Sequence, residues 1–336
     1  MSASSNIETL FNTMAGQTVM VLGDVMVDAY WRGNVQRISP EAPVPIVSVS
    51  QKEYRLGGAA NVARNLQALG ATAMVFSVVG NDENGSVCLD LFAKAGLDGA
   101  GMQQSDERIT TVKSRILGNH HQMLRVDEES IKPLSEKEEA SIVQAVTKQL
   151  EGGGIGAVIF EDYDKGILTP TLISAVIAKC RALKIPVAVD PKKDQFMSYR
   201  SVSLFKPNLR ELSEGIGQPL SGKDIPGLKK AMESFRESQS HEIVMVTLAE
   251  YGMAVSSPNG FEHIPAVVRD ISDVSGAGDT VISVATLALI SGLNPVSAGA
   301  LANLAGGLVC ESPGVVTVQV ERLKAEAGRY FGVGRR

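Results

Sequence analysis

Asp273-Val-Ser-Gly276-Ala277-Gly278-Asp279-Thr280, running directly into the uncharged stretch 281–290, is the segment of this 336-residue chain that decides the fold. Small residues let a backbone approach a ligand closely. The amides of Gly276, Ala277 and Gly278 at a helix N-terminus can converge on an anion, with the helix dipole behind them. The spacing therefore predicts a phosphate site at the start of a buried helix. Asp279, in the first turn, is a candidate general base, able to accept the proton of an attacking hydroxyl while the amides stabilise charge on a phosphoryl group. The plainer alternative is a helix-start carboxylate, worth about 0.3–1 kcal/mol.

Outward from this segment, short apolar runs recur at 19–22, 75–79, 157–160, 187–189, 202–205 and 243–246, most of them separated by helix-length segments. That rhythm predicts parallel strands with crossover helices. Polar residues follow each run: Gly23-Asp24, Gly80-Asn81-Asp82, Glu161-Asp162, Asp190-Pro191, Pro207-Asn208 and Thr247-Leu248. In an open parallel sheet these would converge on the crevice beyond the strand C-termini. Two stretches break the rhythm. Residues 30–55 contain Pro40-Glu-Ala-Pro-Val-Pro45, and residues 109–126 alternate apolar and polar positions. Both predict antiparallel strands outside the main sheet, together a small β lid over the crevice. The expected fold is α/β: a mostly parallel central sheet flanked by helices, with a core of residues 1–29, 56–108 and 127–336 and a lid of 30–55 and 109–126.

Composition bounds the function. At roughly 150 residues per domain the chain is two domains or one large α/β unit. Lys plus Arg is 32 and Asp plus Glu 37, a net charge of −5, which argues against nucleic-acid or anionic-membrane partners. Cys88, Cys180 and Cys310 are far apart and odd in number, which fits free thiols in a reducing cytoplasm. The first basic residue is Arg32, so no positive secretory region precedes it; residues 2–17 suggest a short leading helix or tail. The uncharged run 280–310 is cut by Asn294-Pro295 and predicts two buried helices rather than a membrane span. Two glycine motifs are decoys. Gly217 to Lys223 has P-loop spacing, but Pro219 lies inside it and Asp224 replaces the metal-binding hydroxyl, so it predicts a surface loop. Gly152-Gly153-Gly154-Ile155-Gly156 precedes a strand instead of following one and predicts a turn.

A second glycine element, Leu56-Gly57-Gly58-Ala59-Ala60-Asn61-Val62-Ala63-Arg64-Asn65, starts another helix. Its paired glycines permit close backbone contact, and Asn61 can hydrogen-bond a polyol; a tight packing turn is the alternative. In this order the two elements resemble the signatures of the ribokinase-like (PfkB) family of carbohydrate kinases, over about residues 19–318. The resemblance implies that Asp28, in Gly23-Asp24-Val-Met-Val-Asp28, ends the first strand and holds the sugar with Gly57, Gly58 and Asn61. It implies that Asn208 and Glu211, in Lys206-Pro-Asn208-Leu-Arg-Glu211, organise Mg²⁺ and phosphate, the metal mostly through water. Thr247, Leu248 and Gly252 match the nucleotide-binding turn, and Asn303, in Ala302-Asn303-Leu-Ala-Gly306, the adenine-side helix. Asp273 and the Ser275 carbonyl could take a monovalent cation such as K⁺; for Asp273 a role in starting the helix is the alternative. Ala249, where many members carry Gly, and Ser275, where they carry Thr, depart from the pattern.

Within the family, residues 37–45, 161–166 and 189–193 most resemble members that use ATP and Mg²⁺ to phosphorylate D-glycero-β-D-manno-heptose 7-phosphate at its anomeric hydroxyl. The product would be the 1,7-bisphosphate, a precursor of the ADP-heptose of lipopolysaccharide cores. Such kinases are often fused to an adenylyltransferase with an H-x-G-H signature; none occurs here, so a stand-alone kinase is expected, homodimeric through its lid. Lys192, Lys193 and Arg125 are candidate cations for the substrate phosphate, with Asp162 beside the substrate. Another sugar or phosphosugar kinase, a nucleoside kinase using Tyr30, Trp31 and Tyr54 in the lid, and a non-catalytic sugar-phosphate sensor are the alternatives.

Overall fold

In a computed structural model, residues 3–119 and 121–332 are described. The chain begins with helix α1 (Ala3–Ala15) and strand β1 (Thr18–Gly23), then forms a long hairpin of β2 (Val25–Ile38) and β3 (Pro45–Gly58). Next come α2 (Ala59–Ala68), β4 (Thr72–Gly80), α3 (Glu83–Ala95) and β5 (Asp98–Ser105), and a second hairpin of β6 (Val112–Gly118) and β7 (His121–Glu128). An α/β run follows: α4 (Glu136–Glu151), β8 (Ala157–Glu161), α5 (Pro170–Leu183), β9 (Val187–Asp190), β10 (Leu204–Phe205), α6 (Leu209–Gly215) and α7 (Ile225–Gln239). Strands β11 (Ile243–Thr247), β12 (Met253–Ser257) and β13 (Gly260–Ile264) precede α8 (Ala277–Ile290), α9 (Pro295–Val309) and α10 (Val320–Gly332).

Nine strands form one sheet in the order β13-β12-β11-β10-β9-β8-β1-β4-β5, parallel except where β12 and β13 are added antiparallel. Each inner strand shows its alternate residues to opposite faces. Val19 and Val21 of β1 join the core under α2, α8 and α9, while Met20 and Leu22 join the core under α4 and α5. The order reverses between β1 and β8, and at such a switch point the loops diverge to leave a crevice. Side-chain caps set where the helices begin: Asp82 accepts from the Gly85 amide at 2.6 Å, and Asn294 caps α9 ahead of Pro295.

The second sheet has four strands, β3-β2-β6-β7. Its two hairpins are antiparallel as expected, but β2 pairs with β6 in parallel, because both hairpins leave the main sheet in the same direction. The first strand stops at Gly23, and after one residue the chain is already in β2. Asp28 therefore lies on β2, not at the end of the first strand. The Gly217–Lys223 segment is a loop, and α8 and α9 are separate helices of 14 and 15 residues. Among the described residues no helix is long and apolar enough to cross a membrane.

His241, at the far end of the sheet, is a structural histidine. It stacks on Phe205 at 4.7 Å between centroids, and both ring nitrogens are buried without a hydrogen-bond partner. Burial pushes its pKa down to about 3, against about 6.5 in an unfolded chain. Between those values the unfolded state binds a proton that the folded state refuses. Stability from this group is complete above pH 6.5 and falls towards pH 3, by up to about 1.4 kcal/mol per pH unit. His241→Leu should flatten the acid side of the melting-temperature profile between pH 6 and pH 4.

Candidate active site

The crevice at the β1/β8 switch point gathers side chains from six elements. Gly276 takes a left-handed φ of 78°, which turns the chain into α8, and a Cβ there would stand 2.8 Å from Asn61 Nδ2. The next turn carries Asp279, buried. Asn61 Nδ2 donates to its Oδ2 at 2.6 Å, and the Tyr163 hydroxyl donates to its Oδ1 at 2.8 Å. Burial raises the Asp279 pKa, and these two donors oppose the rise. A Cβ on Gly278 would lie 3.4 Å from Asp190 Oδ2 and 3.7 Å from Lys206 Nζ. The glycine run thus opens towards the buried Lys206–Asp190 ion pair, whose atoms are 2.8 Å apart. Glu161, neighbour of Asp190 in the β8–β9 register, is also buried, and burial followed by Asp190 and Asp279 drives its carboxyl well above the usual range.

On the small sheet, Asp28 is buried and paired with Arg115. A Cβ on Gly57 would meet the Asp28 carboxylate, the end of a side chain, whereas one on Gly58 (φ 59°) would collide with the Asp24 backbone carbonyl, so Gly58 requires glycine. Arg115 and Arg55 lie over the Tyr30 ring at 5.2 and 5.0 Å. The Tyr30 hydroxyl accepts from the Val315 amide, and Arg55 donates to the Val315 carbonyl. Asp273 accepts from the amides of Ser275 and Gly314, both at 2.9 Å. Burial works to raise its pKa, but these donors outweigh it and hold the carboxyl low.

On the far side of the cradle, Asn208 and Glu211 form a reciprocal cap on α6: Asn208 Oδ1 accepts from the Glu211 amide, and Glu211 Oε2 from the Asn208 amide, each at 2.8 Å. Glu211 also pairs with Lys192. Burial works to lower the Lys192 pKa, but Asp190 and Glu211 outweigh it and raise it. Thr247 bridges to Asn208, and the Leu248 amide donates to the Gly252 carbonyl at 2.7 Å. Gly252 (φ 89°) could carry no side chain, since a Cβ would meet the Ile264 carbonyl. Asn303 donates to the Pro265 carbonyl at 3.1 Å on the same edge.

Three expected substrate contacts have other immediate partners or surroundings in the structure. Arg125, on the fully exposed strand β7, makes two 2.9 Å bonds to Asp127 of its own strand. Lys193 is exposed. Asp162 is buried beneath the crevice, its carboxylate accepting from the Tyr199 hydroxyl and the Asp164 amide; burial followed by Asp24 pushes its pKa up to about 7. The structure puts other residues in the crevice that sequence reasoning passed over. Lys113, one β6 repeat before Arg115, forms no ion pair among the described residues, and its ammonium sits 5.0 Å from the Tyr163 ring centroid. Burial lowers its pKa. Its signal was the alternation of 109–126, which puts Lys113 and Arg115 on one face.

The profile for pfkB family carbohydrate kinases matches residues 17–322. The chain belongs to this family. As a pfkB carbohydrate kinase it is an enzyme of phosphoryl transfer, with ATP and Mg²⁺ implied by the family. It is 40% identical over 314 residues to the bifunctional protein HldE of Geobacter metallireducens, covering 93% of this chain and 63% of that protein. The HldE of Mesorhizobium japonicum is 39% identical over 317 residues, covering 94% and 63%. The chain thus spans less than two thirds of the length of these relatives. Among solved structures, the tetrameric inhibited form of phosphofructokinase-2 from Escherichia coli superposes with a TM-score of 0.77 at 16% identity, over 94% of this chain and 98% of that one. Ribokinase of Arabidopsis thaliana, complexed with ribose and ATP, gives 0.71 at 17%, over 92% and 98%. At such identities these two share the fold.

Proposed function

We propose that this pfkB kinase transfers the γ-phosphoryl group of ATP to the anomeric O1 of D-glycero-β-D-manno-heptose 7-phosphate. The observation that carries the transfer is the buried Asp279 carboxylate beside the Gly276–Gly278 amides, held by two donors. The substrate hydroxyl gives its proton to Asp279, its oxygen forms the new bond to phosphorus, and the bond to the β-phosphate oxygen breaks to release ADP. The Gly276, Ala277 and Gly278 amides take the charge of the transferring group. Asp28, Gly57, Gly58 and Asn61 hold the sugar, and Thr247, Leu248, Gly252 and Asn303 hold the nucleotide. The four-stranded sheet acts as the lid, and its exposed Tyr54, Leu124 and Val126 fit a homodimer contact.

The donor set fits a magnesium ion that arrives with the nucleotide. Among the described residues no three acidic or His/Cys side chains form a cage, and Glu211 already bonds the Asn208 amide and Lys192. Such a pattern suits a hydrated ion held mainly by phosphates; Glu211 and Asn208 would orient its waters, and the ion would neutralise charge on the nucleotide. The Asp273 oxygens serve two backbone amides, so a monovalent cation there is assigned no step.

The heptose 7-phosphate rests on the sequence resemblance of residues 37–45, 161–166 and 189–193. An anionic substrate is also favoured by Lys113, whose ammonium makes no ion pair among the described residues and which lies opposite Asp28 in the β2–β6 register. A charge-assisted bond of this kind is worth about 1.5–3 kcal/mol. Lys113→Gln should raise KM for the phosphosugar about tenfold or more and leave KM for ATP within about twofold. The deciding experiment is ADP release with Mg·ATP over a panel of sugars and phosphosugars. Turnover confined to the heptose phosphate supports the assignment; turnover of another sugar moves the substrate, and binding without turnover on any of them indicates a sensor.

A further inference from the structure

We propose that Tyr163 is a positioning residue for phosphoryl transfer: its phenol keeps the Asp279 carboxylate aimed and ionised, while its ring links that carboxylate to both sides of the crevice. The base reading of Asp279 is the premise. Asp279 is buried with a carboxylate on either flank, Glu161 at the end of β8 and Asp190 at the end of β9, and ammonium groups of Lys206 and Lys192 nearby. An unsupported carboxylate there would take up a proton, and a protonated acid cannot serve as base. Two donors counter this, one on each oxygen: Asn61 at 2.6 Å and Tyr163 at 2.8 Å. Each oxygen keeps a lone pair, so the group is fixed in place and can still accept the substrate's proton.

Tyr163 is held at three points. Its backbone amide donates to Asp24 Oδ2 at 2.8 Å, which anchors it just past β8. Its ring lies between two ammonium groups, Lys113 of the small sheet at 5.0 Å and Lys192 beside Glu211 at 5.2 Å. A cation over an aromatic face is attracted to it, more strongly when water is excluded. The phenol itself is buried beside three carboxylates, which keeps it protonated and so a permanent donor. Thus the side chain that orients the base also touches one residue from each wall of the crevice.

The test is the pH dependence of single-turnover phosphoryl transfer, so that product release is not read, in the full chain, Tyr163→Phe and Asp279→Asn. Measurements are made below the melting transition of each protein. Tyr163→Phe keeps the ring and both ammonium contacts and removes only the donor. The expected result is an acid limb displaced upward by about one pH unit, a fall of up to about tenfold along that limb, a smaller fall on the alkaline plateau where only the aim of the carboxylate is lost, and KM for ATP within about twofold. A purely structural role would lower the melting temperature without moving the limb. An unmoved limb, with or without a uniform fall in rate, overturns the assignment of Tyr163. Full activity in Asp279→Asn overturns the base reading instead, so the two failures are distinguishable.

Discussion

Asp279→Asn should lower kcat by about 10²–10⁴, the range associated with a positioned proton acceptor, while KM for ATP and sugar changes little. The substitution suits the site. An asparagine Oδ1 can accept from Asn61 Nδ2 where Asp279 Oδ2 does now, and its NH₂ can donate to the Tyr163 oxygen once that hydroxyl rotates. Replacing a buried carboxylate by a neutral isostere also removes the cost of burying charge. The variant should therefore melt at or above the parent's temperature while losing turnover. Steady-state kinetics beside a thermal melt checks both halves, and a variant that keeps its kcat would remove Asp279 from the proton transfer.

Gly252→Ala should cost about 2–4 kcal/mol of stability and weaken ATP binding with it. The residue sits at φ 89° and ψ −123°, between the turn Ala249–Tyr251 and β12. A methyl group would meet the Ile264 carbonyl and lie 2.5 Å from the Ala266 nitrogen. Both obstacles are backbone, so neither can rotate aside, and the β11–β12 turn must shift against β13. Because Leu248 donates back to the Gly252 carbonyl, the shift reaches the proposed nucleotide edge. Denaturant unfolding and nucleotide titration read the two effects. Gly217→Ala, in the loop with P-loop spacing, is the contrast: its left-handed φ costs a little strain, but nothing lies within 4 Å to collide.

The layered architecture was legible because it rests on local signals. Runs such as 19–22 and 157–160 are apolar on both faces of the strand, which only a sheet covered by helices on both sides accommodates. Strand β5 was not legible: Asp98–Ser105 carries two glycines and few apolar side chains, and it is a strand because β4 offers it a free edge. The immediate partners of the cation candidates were hidden for a related reason. Arg125 has the same residue type and the same alternating pattern as Arg115 and lies opposite it, but Arg125, on the outermost strand, pairs with Asp127 while Arg115 pairs with the buried Asp28. Alternation gives the face of a strand; only strand order gives its distance from the crevice.

The amino-acid sequence by itself determined the family and the helix-start glycine elements, because these depend on a few consecutive residues and their backbone geometry. The tertiary structure alone decided which groups meet. Asn61 reaches Asp279 across 218 residues, Tyr163 across 116, and Arg115 reaches Asp28 across 87. Those contacts come from the sheet order at the β1/β8 switch and from the way β6 lies parallel to β2. Local propensity carries no information about either, since pairing partners are chosen by the burial of whole faces.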